Sequence, residues 1–202
     1  MTTIYIIRHA AKERGDFFNP RLRHQDEPVS VQGQRDAQKL CSFFAGKAIA
    51  AIYISEYQRT CQTSQPLARQ FSLTPLIDAR LNEIDNGRLD GMTDEQIQHT
   101  YPEVWQAFLA RSADFRFPEG ETGAEARQRI VEFLEEKHQQ HAKENIILVS
   151  HEGLIRLWLC TILDLPVYKR WNFHVDFCGI MEMVYQPAYG AWKLIRYNQV
   201  CW

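Results

Sequence analysis

The stretch Thr3-Ile4-Tyr5-Ile6-Ile7-Arg8-His9 decides the fold. Its β-branched and aromatic residues run on without polar alternation, the mark of a strand covered on both faces in a largely parallel sheet. The run stops abruptly at a guanidinium and an imidazole. Working outward, residues 49–54 and 146–150 read as two more buried strands, ending at Ser55 and His151, and 75–81 as a shorter one leading into Asn82-Glu83. Between them lie helices. Ser30 caps one whose apolar Ala37, Leu40, Cys41 and Phe44 recur at helical spacing, with Gly46 as its stop. Residues 56–71 read as a second, kinked or broken at Pro66. Thr122 and Glu125 form a capping box that opens a third, reaching about Lys143, with Ala126, Ile130, Val131 and Leu134 as its inward stripe. Residues 153–163 are helical and apolar almost all round, and 178–185 with 192–197 form a closing hairpin.

Strands alternating with helices predict an α/β fold, a three-layer α/β/α sandwich with a mostly parallel central sheet. The 202 residues form a single domain, 1–202, with two interruptions. Residues 11–28 are charged, carry Gly, Pro and Asn, and show no period, so they read as a long surface loop. Residues 85–121 read as a cap-like insertion over one sheet edge, with a helix over 93–111 interrupted near Tyr101-Pro102.

Composition narrows the function. Lys and Arg total 23 against 25 Asp and Glu, a net charge of -2, so no concentrated basic face is expected for nucleic acid or an anionic membrane. Any phosphate site must be local. The five cysteines are odd in number and lack a C-x-x-C pair, which predicts free, buried thiols in a reducing cytoplasm. The N-terminus does not read as a secretory signal, and no apolar run approaches the roughly 20 residues of a membrane helix.

Chemistry gathers at the strand ends: Arg8-His9, Ser55 to Arg59, Glu83, and Ser150-His151. In open α/β sheets ligands bind outside the carboxyl ends of the strands, so these distant segments can converge. A phosphate monoester repels nucleophiles, and a protein must neutralise its equatorial oxygens with donors placed in advance. Arg8 and Arg59 supply forked, permanent charge, and His151 adds a donor. A histidine attacks phosphorus when one ring nitrogen is free and the other keeps its proton on an acceptor, which makes His9 the candidate nucleophile. Glu83 is placed to protonate the leaving alkoxide. This scheme calls for no metal or other cofactor.

The same segments resemble the histidine phosphatase superfamily, or phosphoglycerate mutase-like family. Ile4 to Ala10 is similar to its strand and Arg-His-Gly, and Pro28-Val-Ser-Val-Gln-Gly33 to its Pro-Leu-Thr-x-x-Gly helix start. Ser55-Glu-Tyr-Gln-Arg59-Thr-Cys-Gln62-Thr63 is similar to Ser-x-x-x-Arg-x-x-Gln-Thr, and Leu81-Asn-Glu83 to the Leu-x-Glu stretch. Pro118-Glu-Gly-Glu-Thr122 and Val149 to Arg156 complete a series spanning about residues 3 to 156. The resemblance implies His9 as the phosphorylated residue, Arg8, Arg59 and His151 as the phosphate pocket, Glu83 as proton donor, and metal-independent chemistry.

Two departures stand out. Ala10 replaces the usual glycine, where a methyl would crowd the nucleophile's backbone. Glu152 replaces a small residue and is either ion-paired or a direct substrate contact. The loop also departs from the family's usual Thr-x-x-Asn continuation, and Asn19, Arg21 and Arg23 are the candidates for its next phosphate contact. Arg111 and Arg116 stand on the rim, where they would favour a second anionic group. The remaining histidines, His138 and His141 among them, read as surface residues, and Trp158, Trp171, Phe173 and Phe177 as core. The expected function is hydrolysis of a small phosphorylated metabolite through phosphohistidine. Alternatives are mutase-type phosphoryl transfer and a catalytically weak phosphate-binding regulatory module. Oligomeric state is left open.

Overall fold

The computed structural model describes residues 1–202. The chain runs β1 (Thr3–Arg8), a small ribbon of β2 (Phe18–Asn19) and β3 (His24–Gln25), α1 (Val31–Phe43), β4 (Ala51–Ile54), α2 (Gln58–Phe71) and β5 (Leu76–Ile77). It continues with α3 (Asp94–Thr100), α4 (Pro102–Ala110), α5 (Gly123–Gln140), β6 (Asn145–Ser150), α6 (Glu152–Ile162), β7 (Ile180–Gln186) and β8 (Ala191–Gln199). The six-stranded sheet has the order β5-β4-β6-β1-β7-β8. Its first four strands are parallel, and β7 and β8 close it as an antiparallel edge.

The absence of polar alternation in the strands has its cause in two covered faces. Ile4, Ile6, Ile146 and Leu148 pack against Ile130 and Phe133 of α5 and Leu154 and Trp158 of α6. The intervening Tyr5, Ile7, Ile147 and Val149 pack against Ala37 and Leu40 of α1 and Leu67 of α2. The protein is therefore the α/β/α sandwich that the strand pattern predicts. Ser30 caps α1 by accepting from the Gly33 N–H at 3.0 Å, and Thr122 with Glu125 forms the reciprocal capping box of α5. No helix is long and apolar enough to cross a membrane.

Several local expectations need correction. Pro66 does not break α2, which runs unbroken from Gln58 to Phe71 with Pro66 buried inside it. Packing of α2 on α1 and the sheet holds the helix through the one missing hydrogen bond. The strand expected over 75–81 shrinks to Leu76–Ile77, both exposed at the sheet edge, followed by a 3₁₀ turn at Ala79–Leu81. The loop over 11–28 is not featureless, since β2 and β3 pair within it and Lys12 bridges to Val29. On α5, Phe133 takes the buried place expected of Val131. Cys160 and Cys178 are buried as expected, but Cys61 is exposed.

His141 is also not a surface residue. It continues the 3–4 spacing of Ile130, Phe133 and Lys137, which carries it inward just past the end of α5. There its Nε2 lies 2.9 Å from the Tyr53 hydroxyl and its Nδ1 2.8 Å from the Glu144 carboxylate. His138 stacks on Tyr185, with ring centroids 4.3 Å apart.

Candidate active site

The parallel register of β1 and β6 places Arg8 opposite Ser150, so the next residue of each strand, His9 and His151, emerges at the same end of the sheet. The His9 N–H donates to the Ser150 carbonyl at 2.9 Å, and the two imidazole centroids lie 5.2 Å apart. His9 Nδ1 lies 2.9 Å from the Ala10 carbonyl. That acceptor requires Nδ1 to carry the proton and leaves Nε2 with its lone pair. Burial, then the charge of Arg59, pushes His9 well below its ordinary pKa, so the ring is neutral where an exposed histidine would be charged. His151 is fully buried and lowered in the same sense by burial and Arg59. Its Nε2 is 2.8 Å from the Ser55 hydroxyl at the end of β4, and its Nδ1 has no protein partner.

Two arginines flank the pair. Arg8 has its guanidinium 4.0 Å from the centre of the Phe177 ring, is held by the Val175 carbonyl, and pairs with Glu152 at 3.0 Å. Arg59, in the first turn of α2, lies 4.2 Å from the centre of the Tyr57 ring and reaches the Gln25 carbonyl at 3.3 Å and Glu27 at 3.4 Å. The Nε atoms of both are buried without a partner. A guanidinium over an aromatic face is attracted by the ring without using up its N–H donors.

Glu83 reaches the site from the 3₁₀ turn rather than from a strand end. Ser150 Oγ donates to the Leu81 carbonyl at 2.8 Å, which ties this segment to the end of β6. The Glu83 carboxylate accepts from the backbone N–H groups of Gly153 at 3.2 Å, Leu154 at 3.0 Å and Ile84 at 3.0 Å. A side chain at residue 153 would place its Cβ 2.7 Å from Glu83 Oε1, so Gly153 is what lets the carboxylate sit on the start of α6.

Arg8, His9, Arg59, Glu83 and Glu152 line one cavity of about 200 Å³, joined by Lys12, His24, Glu27, Tyr57, Asn86 and Asp90. Ala10 fits without crowding, since it is buried in the core packed on α1 and has no positive φ. Glu152 is ion-paired, bridging Arg8 and Arg156. Asn19, Arg21 and Arg23 do not line this cavity. Asn19 binds Asp26 and the turn N–H groups of Arg21 and Leu22, Arg21 pairs with Glu56, and Arg23 lines a neighbouring cavity. Arg116 is engaged by Glu125 on the surface, and Arg111 lies near the rings of Phe108 and Trp171. Phe177 belongs to the site rather than the core, 5.7 Å from His9. No group of three or more His, Cys, Asp or Glu side chains is placed to hold a metal ion.

Lys12, Glu27, Tyr57 and His24 escaped the sequence reading. Lys12 lies only three positions beyond His9, and its amine pairs with Glu27 at 2.5 Å. His24 sits between Asp85 at 3.2 Å and Asp90 at 3.5 Å, and the Asp90 hydrogen bond raises its pKa.

The model of the histidine phosphatase superfamily, branch 1, matches residues 4–200. The chain belongs to that superfamily. Phosphoserine phosphatase 1 of Hydrogenobacter thermophilus is 30% identical over 179 residues, covering 87% of this chain and 83% of its own. A probable phosphoglycerate mutase of Proteus mirabilis is 29% identical over 192 residues, covering 93% and 87%. Among solved structures, YhfR of Bacillus stearothermophilus superimposes with a TM-score of 0.85 at 21% identity, over 100% of this chain and 99% of that one. A phosphoserine phosphatase mutant from Entamoeba histolytica, in complex with phosphoserine, gives 0.81 at 20% identity over 98% of each chain. These structures share the fold of this histidine phosphatase, and family and relatives together support a phosphatase enzyme.

Proposed function

We propose that the chain hydrolyses small phosphate monoesters, phosphoserine first among them, in two steps through phosphorylated His9. The observation that carries this is the His9 ring itself. It is held by the Ala10 carbonyl through Nδ1, faces His151, and opens on a cavity that Arg8 and Arg59 also line. In the first step Nε2 attacks phosphorus, the bond to the ester oxygen breaks, and the Glu83 carboxyl protonates the departing alkoxide. Arg8, Arg59 and the unpartnered Nδ1 of His151 stabilise the equatorial oxygens. In the second step water attacks phosphorus, the P–N bond breaks, and Glu83 takes the proton from water. His9 Nδ1 keeps its proton throughout, donating it to the Ala10 carbonyl.

Phosphoserine is the first choice because the 30% identical relative is a phosphoserine phosphatase. The likeness to a probable phosphoglycerate mutase keeps phosphoryl return to a second hydroxyl as the alternative. Residues 85–121, with α3 and α4, serve as a cap on a single domain, and the five free thiols suit a cytoplasmic address. Rapid quenching with radiolabelled phosphoserine tests the scheme. Label is expected on His9 as an acid-labile, base-stable adduct, with free phosphate as product. Turnover that survives His9→Ala would refute it, and isomer formed from 3-phosphoglycerate without free phosphate would favour the mutase.

A further inference from the structure

Just after His9 the backbone is clipped to the segment that precedes α1. The Ser30 N–H donates to the Ala11 carbonyl and the Glu13 N–H to the Pro28 carbonyl, each at 2.8 Å, and Lys12 bridges to Val29. This antiparallel contact brings Lys12 alongside Glu27, and both side chains line the cavity of Arg8, His9 and Arg59. The Lys12 amine pairs with one Glu27 oxygen at 2.5 Å, while the other oxygen lies 3.4 Å from Nη1 of Arg59. One carboxylate therefore bridges two cations on the wall of the phosphate cavity. Its neighbour Asp26 has a different task, accepting from the Gln58 N–H at 2.9 Å and from Asn19 at 3.1 Å outside that lining.

The Lys12 charge is felt at the reacting end of the cavity. Behind burial and Arg59, it helps to depress the pKa of both His9 and His151. A carboxylate beside bound phosphate repels it, whereas an ammonium attracts it. The ammonium also carries three donors on a flexible stem, so it can change acceptors without moving the backbone. A phosphoryl dianion attracts that amine more strongly than a single carboxylate does.

We propose that Lys12 is a further substrate-binding residue, whose amine leaves Glu27 for a phosphoryl oxygen when the ester binds and returns to Glu27 as inorganic phosphate departs. The proposal rests on the phosphatase reading and adds a third cation to Arg8 and Arg59, together with an internal competitor for it. Three permanent cations around so small a cavity would retain the product. Glu27 limits that retention, because its carboxylate competes with phosphate for Lys12 and Arg59. The exchange moves one ion pair and breaks no covalent bond.

Calorimetry with inorganic phosphate reads the exchange without turnover. Glu27→Gln keeps the shape and removes the competing charge, so phosphate is expected to bind at least about tenfold tighter than to the wild type. Lys12→Met is expected to bind it at least about tenfold more weakly, and Lys12→Arg to recover part of the loss. In phosphoserine hydrolysis, Glu27→Gln should lower KM and deepen inhibition by phosphate, and Lys12→Met should raise KM. A pair that merely braced the loop would weaken binding in both variants. Unchanged or weaker phosphate binding by folded Glu27→Gln overturns the exchange, as does unchanged binding by folded Lys12→Met. Should Lys12→Met not fold, the isosteric Glu27→Gln decides alone. Phosphorylation of His9 with unaltered phosphate binding in both variants would keep the phosphatase reading and sink this proposal. The expected binding shifts without any turnover would do the reverse.

Discussion

A histidine reacts at phosphorus only through a nitrogen that carries no proton, and the backbone of His9 settles which one that is. The carbonyl of the very next residue, Ala10, accepts from Nδ1 at 2.9 Å, so no distant partner has to be recruited. Burial beside Arg59 keeps the ring neutral. Imidazole NMR of labelled protein is therefore expected to show His9 and His151 still neutral at pH 6, where an ordinary histidine is largely charged. Titration of either near pH 6.5 would contradict that electrostatic picture. Glu83 makes a separate prediction. In Glu83→Gln the amide cannot deliver a proton, so phosphorylation by alkyl esters should slow by about 10²–10⁴-fold, and by p-nitrophenyl phosphate much less. Equal slowing for both leaving groups would remove Glu83 from the acid role.

Elements bring these residues together through a few buried ties. Thr63 of α2 accepts from the Ala10 N–H at 2.9 Å and donates to the Arg59 carbonyl at 2.7 Å, linking the segment after His9 to the turn that carries Arg59. Thr63→Val keeps the shape but strands the Ala10 N–H, an expected loss of about 1–3 kcal/mol in chemical denaturation, together with reduced kcat. Wild-type stability in that variant would show that the tie is not used. Gly33 makes a second tie, since a Cβ there would lie 2.2 Å from the Ala11 carbonyl and push the segment after His9 away from α1. Such ties mark what was legible in the sequence. His9, His151, Ser55 and Arg59 could be read because an apolar run ending in a polar group is a local pattern, and parallel register then aligns the ends. Lys12, His24 and Glu27 could not, because the path of residues 11–28 is set by contacts with distant residues, Asp90 accepting from the Gln25 N–H among them, rather than by any period of its own.

At the scale of the whole molecule, placing two neutral imidazoles in the interior couples the site to stability. The unfolded chain protonates His9 and His151 near pH 6.5, whereas the folded chain holds both well below that value. Between those limits the unfolded state binds more protons, so stability falls as pH drops below about 6.5, by up to about 1.4 kcal/mol per pH unit for each ring. His24 works in the opposite sense. Its pKa is raised by Asp90, so its contribution is fully present below pH 6.5 and is lost as pH rises through the folded value. The lowered carboxylates Asp36, Asp78, Asp90 and Asp176 add losses only below about pH 4, leaving the window between to the histidines. Two rings against one give a net loss on acidification. The urea midpoint is expected to fall between pH 7 and pH 5, and His9→Asn should remove a large part of that fall while leaving the midpoint at pH 7 less affected. A wild-type midpoint that stays level across this range would mean that the buried pair accepts protons as readily folded as unfolded, and a nucleophile held neutral by its surroundings would no longer describe His9.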